Sequence, residues 1–220
     1  MFLVVKDVLS AAEIGQLTQI AAALRFVDGR VSNPHNETKK NLQVDSSDPE
    51  ANRAAQIAAA AIMRNDELRN FIFLKRMTAP LLCRYEAGMA YGVHADAAYM
   101  PLPGSPLRTD VSGTIWLARP DTYEGGELCI HLGSESITIK CEPGSMVVYP
   151  SNTLHEVLPV RSGQRLVMTT FMESFVPDQV KRELLWTLNE VSALEGFNIS
   201  WENRTRLNLV SAGLRRMWSD

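Results

Sequence analysis

The chain contains no long apolar run. Met1 to Val5 are apolar, but Lys6 and Asp7 follow at once, too soon for a secretory core or a membrane-spanning helix. The protein is therefore expected to stay in the compartment where it is made, away from any membrane. Cysteine is scarce: Cys83, Cys129 and Cys141 are an odd set with no C-x-x-C spacing. That excludes a disulfide framework and a thiolate zinc cluster, and it fits a reducing cytoplasm. A basic surplus is missing too, since 22 Lys and Arg stand against 25 Asp and Glu for a net charge of −3. Phosphate-backbone recognition is disfavoured on that balance, and no nucleic acid is expected as a partner. Neither an internal repeat nor a Gly/Ser-rich linker divides the 220 residues, so one domain over 1–220 is expected.

What is present has three textures. Residues 1–79 read as a helical support region with the first strand: Ser10-Ala11-Ala12-Glu13 is a capping box opening a helix over about 10–24. Asp48-Pro49-Glu50 opens a second helix, alanine-rich through Ile62. Between them, the polar stretch from Asp28 to Lys40, broken by Gly29 and Pro34, reads as a surface loop. From 80 to 176, β-branched runs such as PLLCRYE, VSGTIWLA, GELCIHL and RLVMTTFMESF alternate with turn residues. Seven or eight strands so spaced indicate a sandwich or barrel. Residues 177–220 return to helical spacing, with Val180, Leu184, Leu188 and Val191 apolar. These C-terminal helices could cover the β-unit or form a homo-oligomer interface. The resulting class is α+β, mainly β, with helices buttressing one closed β-unit.

Only four histidines occur, and two carry the chemistry. His94 and Asp96 form an H-x-D pair in the strand-like AYGVHAD, where side chains two apart share a face. His155 opens a later strand-like run, and Arg165 follows ten residues on. By chance an H-x-D pair is expected about 0.18 times in such a chain, and adding the arginine lowers the joint chance to the order of 1%. Two imidazoles and one carboxylate make the facial triad of non-haem Fe(II) oxygenases, which leaves coordination positions for a 2-oxo acid and dioxygen. The distal carboxylate of such an acid needs a fixed cationic fork, a task that suits the Arg165 guanidinium.

The segments RYEAGMAYGVHADAAYM, RTDVSGTIWL, YEGGELCI, GSMVVYPSNTLHEVLPVRSGQR and KRELLWTLNEV, with FVDGR and KKNLQVD nearer the N-terminus, resemble the bacterial PKHD-type hydroxylases. These are relatives of prolyl 4-hydroxylase among the Fe(II)/2-oxoglutarate dioxygenases. The resemblance implies a double-stranded β-helix, with Fe(2+) at His94, Asp96 and His155 and 2-oxoglutarate at Arg165. It also implies a co-substrate contact at Tyr85 and a dependence on L-ascorbate. The expected reaction is hydroxylation of an unactivated C–H bond, in a prolyl, peptidyl or amino-acid-like substrate, with release of succinate and CO2. Asp96 fills the place a halogenase would vacate for halide. The rivals are a redox-inactive metal hydrolase, which gives Arg165 no task, and a non-catalytic 2-oxoglutarate- or peptide-binding β-barrel.

The remaining candidates have plainer readings. Tyr91 and Trp116 read as core aromatics, and His131 as a surface or satisfied histidine. His35 lies in a polar loop, and Gly125-Gly126 make a turn. Residues 97–109, rich in proline, read as a lid, with Arg108 and Asp110 meeting either a charged substrate or each other.

Overall fold

Alternation of β-branched and polar residues gives the middle of the chain its strands, and the helices at both ends supply cover. The computed structural model describes every residue except 197. The chain begins β1 (Leu3–Val5), α1 (Ala11–Ala23), β2 (Phe26–Asp28), β3 (Lys39–Lys40), β4 (Leu42–Val44), α2 (Pro49–Arg64) and α3 (Asp66–Ile72). There follow β5 (Leu74–Met77), β6 (Leu81–Glu86), β7 (Ala90–His94), β8 (Tyr99–Met100), β9 (Leu107–Arg108) and β10 (Val111–Trp116). Then come β11 (Tyr123–Gly125), β12 (Leu128–Leu132), β13 (Glu135–Ile139), β14 (Met146–Pro150), β15 (His155–Val157) and β16 (Val160–Ser174). The last two elements are α4 (Gln179–Glu195) and α5 (Trp201–Trp218).

Two antiparallel sheets carry the architecture. The major one runs β1-β14-β10-β16-β6-β4-β2, with β11 and β5 also pairing β16, and the minor one runs β13-β12-β15-β7-β3. Successive strands cross between them: β6 lies in the major sheet, β7 in the minor, β10 in the major, β12 and β13 in the minor, β14 in the major, β15 in the minor and β16 in the major. This alternation makes a jelly roll, the double-stranded β-helix. There are more strands than the sequence marks: β1 to β5 lie in the region read as helical support with the first strand, and they, β8, β9 and β11 are only two to four residues each and hold no readable period.

The helices pack on the major sheet through one contiguous core. Leu17, Ile20 and Ala21 of α1 join Ala51, Ala54, Ala58, Ala61 and Ile62 of α2 and Met146, Val148 and Met168 of the sheet. Small alanine side chains let α2 approach closely, which is the use of the alanine-rich run. The α1 capping box forms as read, with Ser10 Oγ accepting from the Glu13 N–H and Glu13 accepting from the Ser10 N–H at 2.8 Å. Glu13 also receives Arg64 at 2.6 Å, which joins the α1 start to the α2 end and holds the Glu13 carboxyl down to about 2. Because that pKa is depressed, the pair stabilises the fold fully above the ordinary glutamate range, and its contribution is lost as pH falls through about 2. Glu13→Ala is expected to lower the unfolding free energy by about 1 kcal/mol at pH 7, and by less near pH 2. Chemical denaturation at the two pH values measures the difference.

The C-terminal helices form as their spacing indicates, but they add little to the core. Spacing marks α4 as a helix, yet Val180, Leu184 and Val191 of its apolar stripe are exposed, and the buried side chains are Arg182 and Leu185. Arg182 donates to the carbonyls of Val176 and Pro177 at 2.8 and 2.7 Å. Its guanidinium therefore seats that face of α4, and the stripe turns outward. None of the described residues of α5 is buried.

Candidate active site

β7 and β15 are neighbours whose register sets His155 directly opposite His94. The His94 Nδ1 lies 2.8 Å from the Gly92 carbonyl and the His155 Nδ1 2.9 Å from the Thr153 carbonyl. A carbonyl can only accept, so each Nδ1 donates to its carbonyl and each Nε2 is the ring nitrogen left facing Asp96. Burial and the neighbouring His155 imidazole pull His94 down to about 4, which leaves it neutral near pH 7. Asp96 completes the group: its Oδ1 is 3.9 Å from His94 Nε2 and its Oδ2 is 3.8 Å from His155 Nε2. The three ligand atoms lie within 4.8 Å of one another, too far apart for hydrogen bonds and suited to surrounding one ion.

Asp96 does not sit on the strand that the H-x-D spacing suggested. β7 ends at His94, and the carboxylate is held by other elements. The Asp96 N–H donates to the Ser151 carbonyl at 3.2 Å, and Ser112 Oγ donates to the carboxylate itself. Ser112 in turn meets the Ser151 hydroxyl at 2.7 Å, tying the loop to β10 and to the end of β14, neighbours in the major sheet. Tyr91, read as a core aromatic, instead lines the cavity and stacks on His94 with ring centroids 3.6 Å apart and planes at 18°.

Across a cavity of about 180 Å³ stands Arg165, which is 1% exposed. Its register partner on β6 is Tyr85, whose ring centroid lies 5.0 Å from the guanidinium, and the Trp116 ring lies at 5.8 Å. These faces favour a cation but do not neutralise it. The Arg165 Nε has no hydrogen-bond partner, and the side chain forms no ion pair among the described residues. A buried cation without a counter-charge is costly, so the cavity is built to receive an anion. Gly126, with φ +66°, makes room for it: a Cβ there would lie 3.1 Å from Arg165 Cδ. The glycine turn thus also shapes the site. Burial raises the Tyr85 and Tyr149 hydroxyl pKa values, keeping both protonated and able to donate.

His94, Asp96, His155, Arg165 and Tyr85 all line this cavity. The stretch from Asp28 to Lys40, read as a surface loop, is partly β-structure, and Lys39 is 9% exposed and lines the same cavity. A two-residue strand has no pattern that would have disclosed it, although KKNLQ places residues 39, 41 and 43 at alternate positions and all three are buried. The 97–109 segment folds back on itself through β8 and β9, while Arg76 fastens it by donating to Ser105 Oγ at 2.8 Å and the Pro106 carbonyl at 2.9 Å. Arg108 and Asp110 pair with each other at 2.9 Å, so the anchoring role applies. His131 lies beside Glu156 at 3.2 Å, and Cys129 is close enough to complete a second group of possible ligands. Glu156 follows His155 directly on β15, and adjacent strand residues face opposite ways, so this group is on the outer side of the minor sheet. His35 is exposed.

Residues 80–173 match the model of the 2OG-Fe(II) oxygenase superfamily. A PKHD-type hydroxylase of Sphingopyxis alaskensis is 48% identical over 202 residues, covering 92% of each chain. Among solved structures, a Trichoplax adhaerens prolyl hydroxylase in complex with a peptide fragment of hypoxia inducible factor is similar in fold. Its TM-score is 0.56 at 18% identity, covering 83% of this chain and 86% of that one. A Pseudomonas putida prolyl-4-hydroxylase gives a TM-score of 0.52 at 18% identity, covering 79% and 92%.

Proposed function

The chain belongs to the PKHD-type hydroxylases and is an Fe(II)- and 2-oxoglutarate-dependent hydroxylase, and on that premise we propose which side chains do the work. His94, Asp96 and His155 hold the iron, and Arg165 with Tyr85 receives the distal carboxylate of 2-oxoglutarate. The observation that carries this reading is the pairing of two features in one cavity: three donors within 4.8 Å of one another, and a fully buried arginine with no counter-ion. Two imidazole nitrogens and one carboxylate fit a ferrous ion and leave positions for other ligands.

When bound, ferrous iron supplies oxygen activation coupled to decarboxylation of 2-oxoglutarate, and one oxygen atom enters a C–H bond. The protein supplies orientation. The Gly92 and Thr153 carbonyls fix the imidazole tautomers, and Ser112 fixes the carboxylate. Tyr91 braces His94 by stacking, while Arg165 sets the direction from which a dicarboxylate enters. The aromatic and aliphatic walls at Leu81, Leu128 and Phe171 keep water out of the reacting space.

The substrate we favour is a prolyl, peptidyl or amino-acid-like molecule, with L-ascorbate keeping the metal ferrous. The unpaired thiols of Cys83, Cys129 and Cys141 are compatible with a cytoplasmic enzyme. The outward apolar residues of α4 and α5 are compatible with a homo-oligomer. A zinc-type hydrolase would leave Arg165 without a task, which is the reason to prefer oxygenase chemistry. Anaerobic addition of Fe(II) and then 2-oxoglutarate to the purified protein is expected to produce a visible metal-to-ligand charge-transfer band. Absence of that band at saturating concentrations would refute the assignment of the site.

A further inference from the structure

Lys39 is a second cation in the same cavity that the roles above leave unused. Its side chain is buried, and its one hydrogen bond goes to Ser32 Oγ at 2.6 Å. An ammonium has three donors, so two remain. The ring of Tyr91 lies 5.4 Å from the Lys39 nitrogen, and the other side of that relation is the stack of Tyr91 on His94. The ammonium is thus placed one aromatic ring away from a proposed iron ligand. No carboxylate of the described residues lies within 4.0 Å of it; burial pulls its pKa down, and Asp96 and Asp28 act on it only from longer range.

Charge in the cavity leaves it a task. Of the side chains lining the space, Lys39 and Arg165 are cationic and Asp96 is the one carboxylate. The cavity tyrosines and Cys83 stay neutral because burial raises them. Counted over the whole cavity, the charges of ferrous iron, dianionic 2-oxoglutarate, Arg165 and Asp96 sum to zero. One positive charge is left over, and it sits at Lys39. A buried charge of this kind is retained at a cost unless something answers it.

We propose that Lys39 binds a singly charged carboxylate of the hydroxylated substrate, so that the enzyme acts on a carboxylic acid: a free or N-blocked amino acid, or the carboxylate of a peptide. This rests on the reading given under Proposed function. A lone ammonium with free donors matches one carboxylate; a phosphate dianion would overshoot the surplus charge, and among the described residues the other cation lining the cavity, Arg165, is already assigned to 2-oxoglutarate.

The test uses the enzyme loaded with Mn(II) and 2-oxoglutarate, and a probe panel of N-acetyl amino acids with their carboxamides. Binding is followed by thermal shift and by titration calorimetry. We expect at least one acid to bind ten times more tightly than its carboxamide. Lys39→Met should erase that preference and Lys39→Arg should keep it, with 2-oxoglutarate affinity unchanged in both. Removing an unpaired buried charge should not unfold the protein, and the melting midpoint of each variant checks this. Equal binding of acid and amide, no binding of any acid, or a preference that survives Lys39→Met overturns the proposal. So does a loss of 2-oxoglutarate affinity in Lys39→Met, which would make Lys39 a co-substrate contact. Failure of 2-oxoglutarate to bind the wild-type protein would instead defeat the broader site assignment.

Discussion

His155→Ala is expected to abolish succinate-coupled hydroxylation, with a fall of about 10³-fold or more, above the 10–100-fold that losing an outer partner of a metal ligand costs. The side chain lies in the minor sheet with its Nε2 aimed at the Asp96 carboxylate 3.8 Å away, so its loss leaves two donors where three converge. Metal affinity should fall with the rate, which equilibrium titration with Fe(II) or Mn(II) would register. Fold stability should change little by comparison, since the imidazole is replaced at a cavity edge already open to solvent-sized space. His131→Ala is the matched control. It removes a histidine from the opposite face of the same sheet, paired only with Glu156, and should leave turnover within about twofold. Full activity in His155→Ala, or equal damage in His131→Ala, would show that the iron is held elsewhere.

Arg165→Met is expected to raise the KM for 2-oxoglutarate by about 10²- to 10³-fold, the 2–5 kcal/mol scale of a buried charge pair losing one partner. Metal binding should persist, because the guanidinium is not among the ligand group. Stability should hold or rise, since the variant removes a buried cation with which no carboxylate of the described residues pairs. That combination separates anion recognition from a structural role: a core arginine would cost melting temperature and leave KM alone. The charge-transfer band gives the same answer without turnover, by needing far more 2-oxoglutarate to develop in the variant.

Much of this site is legible in the residues themselves, for reasons that can be traced. The capping box at Ser10 and the Asp48-Pro49 start are local chemistry, and the helices begin where those signals fall. Alternating β-branched runs mark β6, β10, β14 and β16. His94, Asp96, His155 and Arg165 stand out because so few histidines occur and their spacing is improbable by chance. Less is legible where the determinant is a partner distant in sequence. Lys39 sits in a polar stretch that looks solvated until β3 pairs with β7. Tyr91 looks like any strand aromatic, and at three residues from His94 a regular strand would turn it to the other face; the register shift where β7 pairs β15 accompanies the stack of the two rings. The outward stripe of α4 follows from Arg182 finding the carbonyls at Val176 and Pro177, which no helical period encodes.

The amino-acid order alone determined which side chains are the candidates for iron and a dicarboxylate, and that helices flank a β-rich centre, because those depend on residue type and near-neighbour spacing. Only the tertiary structure decided that His94 faces His155 across two strands, that Asp96 reaches them from beyond a strand end, and that Arg165 and Lys39 are both shut into the same cavity. Those facts depend on strand pairing and on burial away from water, which turn a charged side chain from a solvated surface group into one that requires a partner.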